Sequence, residues 1–517
     1  MNMKKYLIGL MLGGVLFSGC KKGFLDVNTN PNNPQTVAPG LILPAAEVKT
    51  AAVVVDPNLA TLNVWMDYWA FSPNYAVAQD VRDYKVTPST FGGAWNDLYT
   101  NAYDYQNIIN ASVISNDPAM EGIGRTMKSF LMQWAVDMWN NVPYSEAFKA
   151  ALNQTPAYQS GQVVYDSLYI DLNRAIAKFK TPNITTPTSA QDVMFGGNMK
   201  KWIKFANTIK LRILLREFNK LGLAAIQSKI AADSNFAGGN VDNLFLQAGE
   251  SALVNPGYAN TPNKQSPFFS NFGYDPAGTK LPNNDYYKIA SYEASFYASQ
   301  DDYRLFYVAK NVSAGGVILP AWGGTFHFLG NEMGTQGTTT NTYSDVTDDK
   351  NGGAAGDQPY HGPTDPQPIM ADFESLFLQS EAIQRGLFTG DAQAKFELGE
   401  LQSFIFDFDR VDGAGSGASY ITNLVPTPQN NWAMAPDKIA LIITQKWAAL
   451  NEVNFWEPYI EYRRTGAPNI TLSSSPTRAN NVPVRLPYPQ TEFDLNGAHV
   501  GSQGGTNILS DKVWWML

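Results

Sequence analysis

Cysteine and histidine are almost missing from this chain of 517 residues, which has one Cys and three His. A lone cysteine excludes a disulfide within the chain, so buried surface must hold the fold, and a chain of this length can supply it. His327, His361 and His499 are far apart and share no helical spacing, and the patterns HExxH, GxSxG and GxxxxGK[ST] do not occur. The metalloprotease, serine-hydrolase and P-loop chemistries therefore lack their signatures. Charge is scarce too: 16% of residues are Asp, Glu, Lys or Arg, the net charge is −9, and no basic run follows Lys22. Nucleic-acid binding has no electrostatic footprint here. No long apolar run follows residue 20, so no transmembrane helix is predicted. Glycoside hydrolysis needs only two carboxylates about 5 to 10 Å apart. Among 46 acidic residues, pairs such as Asp301-Asp302 arise by chance, so the expectation is a binding protein and no enzyme.

What the chain does have begins at its start. Lys4 and Lys5, the apolar run Leu7 to Phe17 and the small residues Ser18-Gly19 read as a secretory signal, residues 1–19. It is too short to span a bilayer core of about 30 Å. Phe17-Ser18-Gly19-Cys20 resembles a bacterial lipoprotein box, which makes Cys20 the expected lipidation site and accounts for the lone thiol. Several acyl chains on one residue exceed the single chain that anchors only marginally. Residues 20–40, rich in Asn, Pro and Thr, read as a flexible tether.

Beyond the tether, helical periodicity dominates. It is predicted over Asp56 to Phe71, Phe91 to Val113, Glu121 to Trp139, Val163 to Phe179, Asn198 to Lys220, Ala371 to Arg385, Ala392 to Phe406 and Asp437 to Asn451. Antiparallel helix pairs bury such stripes most economically. From about 231 to 370 the texture changes to Gly, Asn, Pro, Thr and Ser with scattered aromatics, a loop-rich insertion of the length usually kept for function. No strand alternation implies a large sheet. The fold class read from the pattern is mostly α, one helical domain over 41–517 with this insertion inside it.

Seven blocks, in order, carry a resemblance: Phe24-Leu25-Asp26-Val27-Asn28 with Asn30-Pro31; Asp137-Met138-Trp139 with Val142-Pro143-Tyr144-Ser145-Glu146-Ala147; Lys201-Trp202-Ile203-Lys204-Phe205-Ala206-Asn207-Thr208 with Leu211-Arg212; Gln445-Lys446-Trp447; Glu461-Tyr462-Arg463-Arg464-Thr465-Gly466; Leu486-Pro487-Tyr488-Pro489; and Trp514-Trp515. Together they resemble the SusD/RagB family of outer-membrane nutrient-binding lipoproteins. The resemblance implies tetratricopeptide-like helix pairs with a ligand face made by inserted loops. It also implies a partner, a SusC-like TonB-dependent transporter that the lipoprotein covers as a hinged lid, and a lipid-anchored place on the outer membrane facing the exterior. The ligand it implies is a nutrient, read first as an oligosaccharide. An oligopeptide binder of the same architecture and a surface-anchored glycan hydrolase are the alternatives.

Sugar binding needs exposed aromatic faces with polar groups beside them. Trp134, Trp202 and Trp447 lie on apolar helix stripes and read as core. The candidates lie at helix ends and in loops: Trp69, Phe71 and Tyr75 around Pro73; Asn284, Asp285 and Tyr286; and Trp322 with His327, where Trp322 is favoured between Pro320 and Gly323-Gly324. Each of these rings could equally plug its own loop. Arg463 and Arg464, following Glu457 and Glu461, read as partly buried ion pairs holding a loop to the helices. Asp345, Asp348 and Asp349 offer oxygen ligands for calcium, the single cofactor candidate. Lys350 in the glycine position and the lack of a closing glutamate break the EF-hand pattern, so a solvated turn without metal is preferred.

Overall fold

Asp117 and Pro118 open the helix that the sequence marks most clearly. The Asp117 carboxylate accepts the Met120 amide at 3.1 Å, and Pro118, with no amide to leave unpaired, takes the first helical position. The computed structural model describes residues 37–149, 152–335, 337, 341–347, 361–504 and 507–517. Cys20, the signal and the tether up to residue 36, and Asp348 and Asp349, lie outside the described residues.

The N-terminal series comprises α1 (Pro39–Val54), α2 (Gly92–Ser115), α3 (Pro118–Trp139), α4 (Gly161–Phe179) and α5 (Met199–Leu221). The C-terminal series comprises α6 (Asp372–Gln384), α7 (Ala392–Asp412), α8 (Lys438–Leu450) and α9 (Glu457–Thr465). Neighbours in sequence pack as neighbours in space: α1 on α2, α2 on α3, α3 on α4, α4 on α5, then α6 on α7 and α8, and α8 on α9. Only Asn116 and Asp117 separate α2 from α3, so the two run antiparallel; Asn116 takes φ +54° to make the turn. Ser160, Asn198, Asp391 and Asp437 cap α4, α5, α7 and α8 with their side chains. The result is the mostly helical fold of tetratricopeptide-like pairs.

One predicted helix is corrected. Asp56 to Phe71 forms a short helical stretch that ends at Trp65, and the chain then enters strand β1 (Trp69–Phe71) through Asp67 at φ +60°. Trp65, Tyr68 and Trp69 are all fully buried. A run apolar on every side suits a buried helix or a buried strand equally, and periodicity alone does not separate them. Pairing decides it. β1 pairs antiparallel with β3 (Tyr287–Ile289) inside the insertion, Trp69 opposite Ile289 and Phe71 opposite Tyr287.

Two more ribbons organise the insertion. β2 (Ala252–Val254) pairs with β6 (Gln367–Met370), joining the two ends of the excursion at its base. β4 (Val317–Ala321) and β5 (Gly324–Phe328) form a hairpin. No helix of the described residues is long and apolar enough to cross a membrane.

The helical core is held by stacked indoles and by buried charge. Trp134 and Trp456 stack at 4.9 Å with their planes 2° apart, and the Trp134 Nε1 donates to Glu457 Oε1 at 2.8 Å. Behind them Arg212 and Arg216 on α5 meet Glu457 and Glu461 on α9, Lys446 on α8 and Glu374 on α6, every one of these side chains at most 3% exposed. Arg464 forks onto Glu381 of α6 at 2.6 Å through both terminal nitrogens. The expectation is corrected for Arg464, which ties helix to helix in full burial while also pairing with Glu461 on its own helix. Arg463 instead donates to the Val484 carbonyl at 3.0 Å and lies 4.2 Å from the Tyr459 ring centre. Sequence spacing could offer Glu461, three residues before Arg464 on the same helix, but not Glu381 on α6.

Candidate ligand face

The β4–β5 hairpin turns on two residues, Trp322 and Gly323, at φ +48° and +77°. Such a turn matches the strand twist, and Gly323 enters it freely, whereas a tryptophan in this conformation is unusual. The strain is sustained by packing beneath the ring. Phe306, Tyr303, Tyr420 and Phe326 lie 4.7, 5.1, 5.6 and 5.8 Å from it. Trp322 nevertheless keeps 38% of its surface exposed. It is an aromatic face held rigidly from below and open above. Tyr420 completes the bed, with its hydroxyl donating to Asp412 Oδ2 at 2.9 Å.

His327 is not brought to this face. Side chains alternate along a strand, so Phe326 and Phe328, which share Phe306 with Trp322, point one way and His327 the other. His327 is half-buried opposite Ile318, and its Nδ1 has no hydrogen-bond partner among the described residues.

A second part of the face is a polar cavity of about 540 Å³ at the Phe71 end of the β1–β3 ribbon. Its walls include Asn74, Asp285, Lys288, Lys310, Tyr343 and Asp345. The Tyr75 hydroxyl donates to Asp285 Oδ2 at 2.6 Å, which pushes its own pKa above the usual range. Tyr75 sits edge-on to Tyr286 at 5.4 Å, and Tyr286 in turn on Phe71 at 5.5 Å. Tyr75, Asp285 and Tyr286 are therefore brought together. The hairpin borders the same cavity, because Val312, one of its walls, donates its amide to the His327 carbonyl at 2.8 Å.

Three candidates have their side chains turned inward. Trp69, fully buried, packs between Phe272, Tyr287 and Phe455, and Phe71 is 2% exposed beneath Tyr286. Asn284 is fully buried as well, with Nδ2 3.5 Å from the Gly273 carbonyl and Oδ1 unpaired. The pairing of β1 with β3 puts Trp69 and Phe71 underneath the face. Of the three calcium candidates Asp345 is described, and its two oxygens accept from Lys288 and Lys280, each at 2.5 Å. Among the described residues no group of three or more acidic, His or Cys side chains could hold a metal. The sequence reading missed Lys280, Lys288 and Tyr343, which reach the cavity from separate segments, Lys288 from β3 itself. The spacing Asp285-x-x-Lys288 was the one signal present.

Fold and face together define a helix-pair binding protein with a loop-built aromatic surface. Residues 31–489 match the SusD-like family described as "Starch-binding associating with outer membrane", and the chain belongs to that family. No curated protein matches it. Among solved structures, a SusD homologue from Bacteroides fragilis superposes with a TM-score of 0.72 at 19% identity, over 93% of this chain and 99% of that one. A SusD/RagB family protein from Bacteroides thetaiotaomicron gives 0.71 at 18%, over 93% and 99%. A chitin-binding SusD homologue from Flavobacterium johnsoniae gives 0.68 at 20%, over 91% and 98%. At such identities the likeness is one of fold.

Proposed function

We propose that this protein captures an oligosaccharide on the Trp322 face and hands it to a SusC-like TonB-dependent transporter, without transforming it. The lipid on Cys20 keeps it at the outer membrane, facing outward, as a lid on a leash. The observation that carries the reading is the indole of Trp322, open to solvent yet braced by four aromatic rings. A flat apolar face of this kind takes the C–H side of a pyranose ring with little loss of side-chain entropy. The amides, hydroxyls and ammonium groups of the neighbouring cavity supply hydrogen bonds to its rim.

Calorimetry against a panel of neutral oligosaccharides and oligopeptides tests it. Trp322→Asn, which keeps a residue tolerant of positive φ in the turn, is expected to weaken oligosaccharide binding at least about tenfold, or ~1.4 kcal/mol. Peptide binding with no glycan binding would favour the oligopeptide alternative. Cys20→Ser is expected to leave fold and affinity intact and to release the protein from membranes on fractionation. Failure to co-purify with a co-expressed transporter would remove the lid from this reading.

A further inference from the structure

The other end of the β1–β3 ribbon opens onto a separate cavity of about 290 Å³. Antiparallel pairing brings Asp67, just before β1, beside Ser291, just after β3; the Ala290 amide donates to the Tyr68 carbonyl at 2.8 Å. The walls include Asp67, Ser291, Tyr292, Glu332, Met333 and Ser474, and among the described residues no lysine or arginine lines the cavity. Asp67 is 2% exposed. Its only donors among the described residues come from Thr471, the amide at 2.8 Å and the hydroxyl beside it. It is held at φ +60° to point there.

A carboxylate buried without a counter-ion is costly, and the two Thr471 donors offset only part of that cost. Among the described residues the titratable groups that feel the Asp67 charge are Glu293, Tyr84 and Tyr292, and Glu332 stands exposed at the rim; none of these is a cation. The hydroxyls do not substitute for one. Ser291 Oγ donates to the Gly330 carbonyl at 3.0 Å and Ser474 Oγ to the Met333 carbonyl at 3.2 Å, so toward the cavity both present lone pairs only. Two carboxylates, the acceptor hydroxyls of Ser291 and Ser474, and the hydroxyls of Ser295 and Tyr292 thus face a space of ring-ligand size, since small-molecule pockets begin at about 300 Å³. The complement of the carboxylates and lone pairs is a group with several donors and a positive charge.

We propose that this cavity is a binding site for a primary ammonium group carried by a saccharide-sized ligand, with Asp67 as its counter-ion and Glu332 at the rim. A bare metal ion fits poorly, because no set of three acidic, His or Cys ligands converges among the described residues. The Tyr292 side chain also borders a second cavity of about 390 Å³, so a ligand longer than one ring continues past it. Burial pushes the Asp67 carboxyl up to about 7, so an arriving ammonium group expels its proton. The site stands at the far end of the ribbon from the 540 Å³ cavity and does not rest on the Trp322 reading.

The test is calorimetry of the full mature chain at pH 7 with glucosamine, N-acetylglucosamine and glucose as probes. Glucosamine is expected to bind at least tenfold more tightly than the other two. Asp67→Asn keeps an acceptor for the Thr471 amide and a residue tolerant of positive φ, and is expected to abolish that preference. Glu332→Gln, exposed and without an ion pair among the described residues, is expected to reduce it about threefold, so the proposal stays testable should the Asp67 variant misfold. At pH 6, titrations in two buffers of different ionisation enthalpy should show release of about one proton per glucosamine bound. Equal affinity for the three sugars would overturn the proposal. So would a preference unchanged in both variants, or displacement of glucosamine by sodium or calcium at equal concentration.

Discussion

Arg216→Leu is expected to lower the stability of the protein by about 3–5 kcal/mol, the range for breaking a buried ion pair from one side. Arg216 is fully buried on α5, within ion-pair distance of Glu457 and Glu461 on α9 and Asp137 on α3. Burial works to raise the Glu457 and Glu461 carboxyls, yet the guanidinium groups of Arg212, Arg216 and Arg464 with the Lys446 ammonium hold both well below the usual carboxylate range. Leucine fills much of the volume but leaves those carboxylates facing a partner that is gone. Urea unfolding at constant m-value measures the loss as a shift in midpoint. Lys49→Ala is the control: its pair with Asp104 at 3.2 Å is about one-third exposed on both sides, and its removal should cost less than about 1 kcal/mol. A loss at Arg216 no larger than at Lys49 would show that the network does not brace the helix series.

The helices were legible because their signals are local. Asp117-Pro118 and Ser160 announce α3 and α4 from within one turn, and the stripe from Ile123 to Met138 needs no partner to be read. Asp56 to Phe71 was misread where locality fails: β1 exists only because Tyr287 to Ile289, more than two hundred residues later, pairs with it. The same pairing buries Trp69 and Phe71, which a helix end would have offered to ligand. Arg216 and its acids, and Asp345 with Lys280 and Lys288, are likewise meetings between distant segments. No periodicity in one sequence carries them.

Stability is also expected to peak in mild acid and to fall by several kcal/mol between pH 5 and pH 8.5. Burial pushes Asp67 and Asp365 up to about 7 and Glu400 up to about 8, from ordinary values of 3.8 and 4.5. For Asp365 the Arg410 guanidinium at 2.8 Å offsets only part of that effect. Folded, these groups keep protons that the unfolded chain releases near pH 4. Their contribution is therefore complete below the unfolded value and is lost as pH rises through 7 to 8. At 1.36 kcal/mol per pKa unit, about three units set a ceiling of ~4 kcal/mol for each group. Glu457, Glu461 and Glu381 act in the opposite sense: held low by their arginines, they stabilise above about pH 4.5 and cease to do so as the acid limb is descended. Urea midpoints across this range should trace a curve with its maximum near pH 5, and Glu400→Gln should remove about one proton from its alkaline slope. A curve that is flat or rising from pH 5 to pH 8.5 would mean that these carboxyls are already ionised in the folded protein. The Asp67 cavity would then need no arriving cation to displace a proton.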